Sequence, residues 1–119
     1  MNQPTKIYNQ FDVVVVPFPF TDSITTKRRP ALILSDAGTF NTQMSKAVMA
    51  MITTATHKPW ALDVIISDLP SSGLNTPSLI RMKLFTIDYA LIVRRIGHLV
   101  ETDSDEVMGS IEKLFNCTL

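Results

Sequence analysis

Asp12-Val13-Val14-Val15-Val16-Pro17-Phe18 points to a mainly β fold before any other part of this 119-residue chain does. Four consecutive β-branched side chains favour extended backbone, and the run is too short for a helix because Pro17 follows directly. We predict a strand over Phe11–Pro17. Its unbroken apolar character predicts that both faces of this strand are buried.

Further segments along the chain carry the same signal. Short apolar or alternating runs, bounded by Gly, Pro, Ser and Asn, predict strands over residues 30–35, 46–54, 61–67, 78–86 and 92–99. Polar residues predict loops between them, including residues 19–27 and 36–44. Six short strands at close spacing predict a small closed or partly closed antiparallel barrel, formed by one domain over residues 1–119.

The C-terminal segment is the clearest helical signal. Asp103 is a good N-cap and Glu106 follows three residues later, which is the pattern of a capping box. The apolar residues of this segment recur at helical spacing: Val107, Met108, Ile111, Leu114 and Phe115. We therefore predict a helix that begins at Asp103 and packs its apolar stripe on the sheet.

Composition narrows the class of protein. The chain is 45% hydrophobic and 18% charged, which is sufficient for a packed core. The apolar run Val13–Phe20 contains two prolines and is far shorter than the roughly 20 residues of a membrane span. The N-terminus lacks the features of a secretory signal, so we expect a cytoplasmic protein without membrane contact. One cysteine, Cys117, and two histidines predict neither a disulfide nor structural zinc.

A net charge of zero hides an asymmetry along the chain. Residues 1–100 contain ten basic and six acidic residues, a balance of +4, whereas residues 101–119 contain one basic and five acidic residues, a balance of −4. The basic body predicts a polyanionic ligand. The densest cluster is Lys27-Arg28-Arg29-Pro30, where a polar loop enters the second predicted strand. A solvated basic loop is the alternative interpretation.

Several separated segments resemble one known family. They are Asp12–Phe18, Arg28–Leu34, Met51–Thr54, Gly73-Leu74, Pro77-Ser78 and Lys83–Asp88. Together they resemble the MazF/PemK family of toxin endoribonucleases over about residues 11–99. The resemblance implies an SH3-like barrel, usually a homodimer, that cuts single-stranded RNA without a metal or other cofactor. It also implies a cognate antitoxin protein that lays an acidic, extended segment across the RNA site.

The resemblance implies two catalytic residues. Arg29, directly before the proline of the second strand, matches the catalytic arginine of the family, and Thr53 matches its catalytic threonine. These types suit RNA cleavage by the 2′-OH, since a guanidinium and a hydroxyl can donate to the phosphate oxygens. Asp22 is the nearest acidic candidate for proton transfer. The first loop has no histidine and the late strand reads Arg81-Met82-Lys83 where some members have Arg-x-Asp, so the general base stays open.

Other residues are candidates for RNA contact. We predict phosphate or RNA contacts from Lys27, Arg28, Thr54, Arg81 and Lys83. Arg94 and Arg95 are adjacent on a strand, so at most one of them is expected to face any given groove. Trp60 could stack an unpaired base, or it could fill the core or a dimer interface.

We therefore predict a toxin of a toxin-antitoxin pair that cleaves single-stranded messenger RNA. Two alternatives stay open at this point. One is a barrel toxin without enzymatic activity that binds a protein target, as gyrase poisons do. The other is a degenerate homologue that binds antitoxin or RNA without turnover, which the missing histidine leaves possible.

Overall fold

The fold is a curled antiparallel sheet with a helix at the C-terminus, which confirms the predicted fold class. The computed structural model describes residues 7–18 and 27–116. Within these ranges the strands are β1 Asp12–Phe18, β2 Lys27–Ile33, β3 Lys46–Thr54, β4 Val64–Ile65, β5 Ser78–Asp88 and β6 Arg94–His98. The α-helices are α1 Thr42–Met44, α2 Leu69–Ser72 and α3 Glu101–Leu114. The strand order β4-β5-β3-β2-β1-β6 leaves β4 and β6 at the edges.

Two apolar clusters cover the two sides of this sheet. We call one side the helix face: it includes Val13, Leu32, Ala50, Ile52 and Ile80, and Val107 of α3 packs against them. We call the other side the tyrosine face: it includes Val14, Val16, Ala31, Ile33 and Met49, and Tyr8 and Tyr89 pack over them. Val13 of β1 belongs to the first cluster, and Val14 and Val16 belong to the second, which explains why this strand has apolar side chains on both faces.

Some predicted boundaries differ from those of the structure. Strand β3 spans Lys46–Thr54 as predicted, whereas β2 begins at Lys27, three residues before Pro30. The basic cluster is therefore part of a strand that pairs with β1, from Phe18 opposite Lys27 onwards. Strand β4 is limited to Val64–Ile65. The predicted loop 36–44 contains a π-helical turn and the short helix α1.

The start of α3 also differs from its prediction. The helix begins at Glu101, so Asp103 lies in its first turn and is not its N-cap. The buried carboxylate of Asp103 accepts hydrogen bonds from Ser67 N at 3.0 Å, Ser67 Oγ at 2.7 Å and Asp68 N at 3.3 Å. Asp103 therefore joins the helix to the segment after β4. In the part of the chain that the structure describes, no helix is long and apolar enough to cross a membrane.

Candidate nucleic-acid site

Strand register brings Arg29 and Thr53 to one side of the sheet. Strands β2 and β3 pair antiparallel, with Ala31 opposite Met51 and Ile33 opposite Met49. The ladder ends at Ala31 and Met51, and two residues further along, towards the same end of the sheet, lie Arg29 on β2 and Thr53 on β3. Side chains alternate along a strand, so Arg29 lies on the same face as Ala31, and Thr53 lies on the same face as Met49. Ala31 and Met49 both belong to the tyrosine face. Two segments 24 residues apart in sequence thus supply the predicted pair to one region.

Pro30 explains why the strands stop pairing at this point. The β2–β3 pairing ends at Ala31 and Met51. Proline has no N–H to donate, so it ends a ladder when it lies next to the last pair. On its other side, β2 continues to pair with β1, where Val16 lies opposite Arg29. Arg29 is therefore held by β1 while the ladder to β3 stops before Thr53.

The basic residues at the start of β2 are exposed, and within the described ranges no carboxylate pairs with its two arginines. Lys27, Arg28 and Arg29 are exposed, and Thr53 is half-buried. The ion pairs among residues 7–18 and 27–116 join Lys46 to Asp88, Arg81 to Asp63, and both Arg95 and His98 to Asp12. Arg28 and Arg29 take part in none of these pairs. A guanidinium in this state can donate to the oxygens of a phosphate.

A cavity of about 560 Å³ opens beside Arg29. Its lining includes four arginines, Arg28, Arg29, Arg94 and Arg95, and we call it the arginine cavity. Val15 shares the helix face with Val13, and it lies opposite Pro30 on β2 and Arg94 on β6. Arg94 therefore lies on the helix face, and so does Arg28, two residues before Pro30. A concave site lined by like charges concentrates the field and attracts anions. The geometry suits a phosphodiester chain that passes Arg29.

Two glycines build the wall of the arginine cavity. Gly73 follows α2 with φ of 78°, and a Cβ there would lie 2.1 Å from Ile96 O. A Cβ on Gly97 of β6 would lie 2.3 Å from the Ser72 carbonyl. Neither position has room for a side chain, because the segment after α2 packs backbone to backbone on β6. This contact brings Gly73, Leu74 and Asn75 to the lining of the cavity.

Arg94 and Arg95 were not selected for the site from the sequence, although both line the arginine cavity. Both residues line the arginine cavity, but strand alternation directs their side chains to opposite faces, since Arg94 pairs with Val15 and Arg95 pairs with Val14. Strand β6 has an extra residue opposite β1, because Val13 pairs with Gly97 and Val14 pairs with Arg95. Arg95 is also held by the buried Asp12, with Nε 2.9 Å from Oδ1.

Arg81 differs from its predicted role as an RNA contact. It is only 8% exposed, and its guanidinium hydrogen bonds to the Asp63 carboxylate at 2.9 and 3.2 Å and to Lys58 O at 2.9 Å. Burial alone would raise the pKa of Asp63, but the hydrogen bonds from Arg81 and from Trp60 N outweigh it and lower that pKa. Arg81 thus holds the loop 55–63 in place.

The other predicted residues have varied surroundings. Thr54 is exposed, and its hydroxyl lies 3.2 Å from that of Thr56. Lys83 is exposed on β5, where it and Met82 form a bulge between the pairs Met51–Arg81 and Ala50–Leu84. Asp22 and Cys117 lie outside the described residues. The structure therefore brings Arg28, Arg29 and Thr53 to one end of the sheet, with Lys27 at the adjoining end of β2.

Comparison with known proteins shows the family to which the chain belongs. The sequence matches the profile of the PemK-like, MazF-like toxins of type II toxin-antitoxin systems over residues 9–115. The chain belongs to this toxin family. Among curated proteins, none matches the sequence. The profile includes β2, β3 and β6, so the arginine cavity and the Arg29–Thr53 pair of this PemK-like toxin both lie within the matched region.

Solved structures have the same fold. The Mycobacterium tuberculosis toxin MazF-mt6 superimposes with a TM-score of 0.72 at 24% identity, over 91% of this chain and 99% of that one. A chain of the MazE–MazF complex of Deinococcus radiodurans superimposes with a TM-score of 0.75 at 19% identity, over 95% and 100%. An endoribonuclease of a mycobacterial species, solved with its cognate antitoxin, gives 0.74 at 13% identity, over 94% and 98%. At these identities the likeness establishes the fold of the toxin.

Proposed function

We propose that this PemK-like toxin cleaves single-stranded messenger RNA without a metal ion. MazF-family toxins are generally endoribonucleases, which gives the proposal its class of reaction. What supports it in this chain is the position of Arg29 near the start of β2, beside the end of β3 that carries Thr53, together with the three other arginines that line the same cavity. Among the described residues Arg29 forms no ion pair. A cation and a hydroxyl donor close together suit a phosphate whose oxygens gain charge.

The reaction we propose uses the RNA's own nucleophile. The 2′-oxygen attacks the adjacent phosphorus in line, the new 2′-O–P bond forms, and the bond from phosphorus to the 5′-oxygen of the next nucleotide breaks. The products are a 2′,3′-cyclic phosphate and a free 5′-hydroxyl. Arg29 donates to the non-bridging oxygens, and the Thr53 hydroxyl adds a neutral donor. Both groups stabilise charge that is greater in the transition state than in the substrate.

Two protons move in this reaction, one from the 2′-hydroxyl and one to the 5′-oxygen. An arginine stays protonated and makes a poor base. We therefore propose that Asp22, the acidic residue of segment 19–26, accepts the proton of the 2′-hydroxyl. Substitution of Asp22 by Asn should lower the cleavage rate and leave RNA affinity nearly unchanged, and an unaltered rate would exclude this role.

The partners follow from charge. Lys27, Arg28 and the arginine cavity would contact phosphates on either side of the cleaved bond, while Thr54 and Lys83 would contact neighbouring nucleotides. We propose that a cognate antitoxin covers this basic region with an acidic segment, as antitoxins accompany the toxins in the D. radiodurans and mycobacterial complexes. We further propose that the toxin is a homodimer and acts in the cytoplasm.

Product analysis tests the proposed function. Purified toxin is incubated with a pool of single-stranded RNA in the presence of EDTA, and fragment ends are mapped. We expect 2′,3′-cyclic phosphate and 5′-hydroxyl ends at defined sites. A substrate with 2′-deoxyribose at the mapped site is the control, since it lacks the nucleophile and should stay intact. Cleavage of that control, or no cleavage of RNA at any toxin concentration, would contradict the proposal and favour a toxin that only binds.

A further inference from the structure

Trp60 is an exposed aromatic residue on a rigid loop. It is 49% exposed, although a tryptophan contributes much more to stability when it is buried. The loop is fixed at both ends of the segment 60–63: Trp60 N donates to Asp63 Oδ2 at 2.8 Å, and Asp63 N donates to Trp60 O at 3.4 Å. Arg81 adds the two hydrogen bonds to Asp63 and the one to Lys58 O described above. A surface side chain on such a loop is held in one place.

The underside of the indole is occupied by a cation. The guanidinium carbon of Arg81 lies 4.8 Å from the centroid of the Trp60 ring. A cation–π contact is stronger when the cation is shielded from water, as Arg81 is. A buried ion pair such as Arg81–Asp63 adds little net stability compared with apolar residues of similar volume. Its evident effect here is positional, because it fixes the ring and leaves another part of the ring surface open to solvent.

The ring lies on the same side of the sheet as the proposed reactive pair. Arg81 of β5 is opposite Met51 of β3, and cross-strand partners share a face. Met51 and Thr53 are two residues apart on β3, so they share that face as well. The Arg81 guanidinium, and the indole that contacts it, therefore belong to the tyrosine face, and the β3 partner of Arg81 is two residues from Thr53.

We propose that Trp60 is a stacking platform for one unpaired base of the RNA, next to the nucleotide whose phosphate Arg29 and Thr53 hold. The proposal rests on the proposed function for its substrate class. An indole offers an extended apolar surface to any base, and it stacks best on the larger purines. Trp60 thus adds affinity and a preference for a purine at that position, while Arg81 and Asp63 are the residues that position it.

Intrinsic fluorescence tests the platform directly, because Trp60 is the chain's single tryptophan. The probe is a set of 2′-O-methyl oligoribonucleotides of purine-rich or pyrimidine-rich sequence, which cannot be cleaved. Binding is followed independently by the anisotropy of a dye on the oligonucleotide. We expect saturable quenching of tryptophan emission that follows the anisotropy curve, and tighter binding of the purine probe.

Substitutions give the second readout. Trp60→Ala should weaken oligonucleotide binding by about 5- to 150-fold, and Trp60→Phe should retain most of the affinity because it keeps an aromatic ring. Phe115→Ala is the matched control: Phe115 is 63% exposed at the end of α3, the helix that packs on the opposite face of the sheet. Its removal should leave oligonucleotide affinity unchanged.

Three outcomes would overturn the platform. The first is binding by anisotropy without any change in tryptophan emission. The second is wild-type affinity in Trp60→Ala. The third is a loss of dimer in Trp60→Ala by sedimentation, which would make Trp60 an interface residue. Failure of the proposed function is distinct: quenching by a tightly bound oligonucleotide, with intact RNA in the cleavage assay, would support the platform and contradict the nuclease.

Discussion

Substitution of Gly97 by Ala tests the packing that forms the arginine cavity. A Cβ at this position would lie 2.3 Å from the Ser72 carbonyl carbon and oxygen and 2.6 Å from Ser71 O, whereas ordinary contact begins at 3.4 Å. The two backbones must therefore separate by about 1.1 Å, and no flexible side chain can absorb this movement. Overpacking of this kind costs about 1–3 kcal/mol. At roughly 4 °C per kcal/mol for a domain of this size, Tm should fall by about 4–12 °C.

Gly109→Ala is the matched control for this experiment. Gly109 lies within α3, and a Cβ there would meet nothing within 4 Å. Alanine favours a helix interior over glycine by about 0.5–1 kcal/mol, so Tm should rise by about 2–4 °C. Thermal unfolding followed by circular dichroism compares both variants with the wild type. Opposite signs are expected, and a Gly97→Ala protein as stable as the wild type would refute the close packing of β6 on the segment after α2.

Three further predictions concern the site. Thr53→Val is nearly isosteric and should lower the cleavage rate by about 10²-fold or more, because it removes one hydrogen-bond donor to the phosphate. Thr54→Val should not lower the rate in this way. Equal cleavage rates in the two variants would make Thr53 a structural residue. If four basic side chains contact phosphates, RNA affinity should fall by about 50-fold between 50 and 200 mM salt, and a flat response would exclude such contacts. Asp63→Asn should destabilise the fold at pH 7. Because the folded pKa of Asp63 lies below its ordinary value of 3.8, the stability difference from wild type should be full at neutral pH. It should narrow as the pH falls through 3.8 towards the folded pKa, and a constant difference would contradict this.

Local signals predicted the strands and the helix well. The four valines of β1 and the run Lys46–Thr54 are strands as predicted, because β-branched residues and short length favour extended backbone. The helix start was predicted wrongly because Asp103 is a good N-cap by type, yet its carboxylate bonds to Ser67 and Asp68 in a segment 35 residues earlier. A cap pattern in sequence does not reveal such a long-range competitor.

Prediction of the candidate site depended more on strand pairing than on residue type. The family resemblance implied Arg29 and Thr53, but their common face follows from β2–β3 register, which the residues of either strand do not specify alone. From its place in the sequence beside Lys83, Arg81 is predicted to be a surface cation. Its burial depends on an ion pair with Asp63, which is 18 residues away in sequence. Arg94 and Arg95 reach the cavity wall through the pairing of β6 with β1, which the residues of β6 do not specify alone.

The saturating cleavage rate of Arg29→Ala, measured beside Arg28→Ala, tests most directly whether Arg29 and Thr53 form the reactive pair. Both arginines are exposed, adjacent and of equal charge, but they point to opposite faces of β2. We expect Arg29→Ala to lose about 10³-fold in single-turnover rate at saturating RNA, and Arg28→Ala to bind RNA more weakly with a nearly normal saturated rate. Equal losses in the two variants, or wild-type turnover in Arg29→Ala, would contradict the reactive pair.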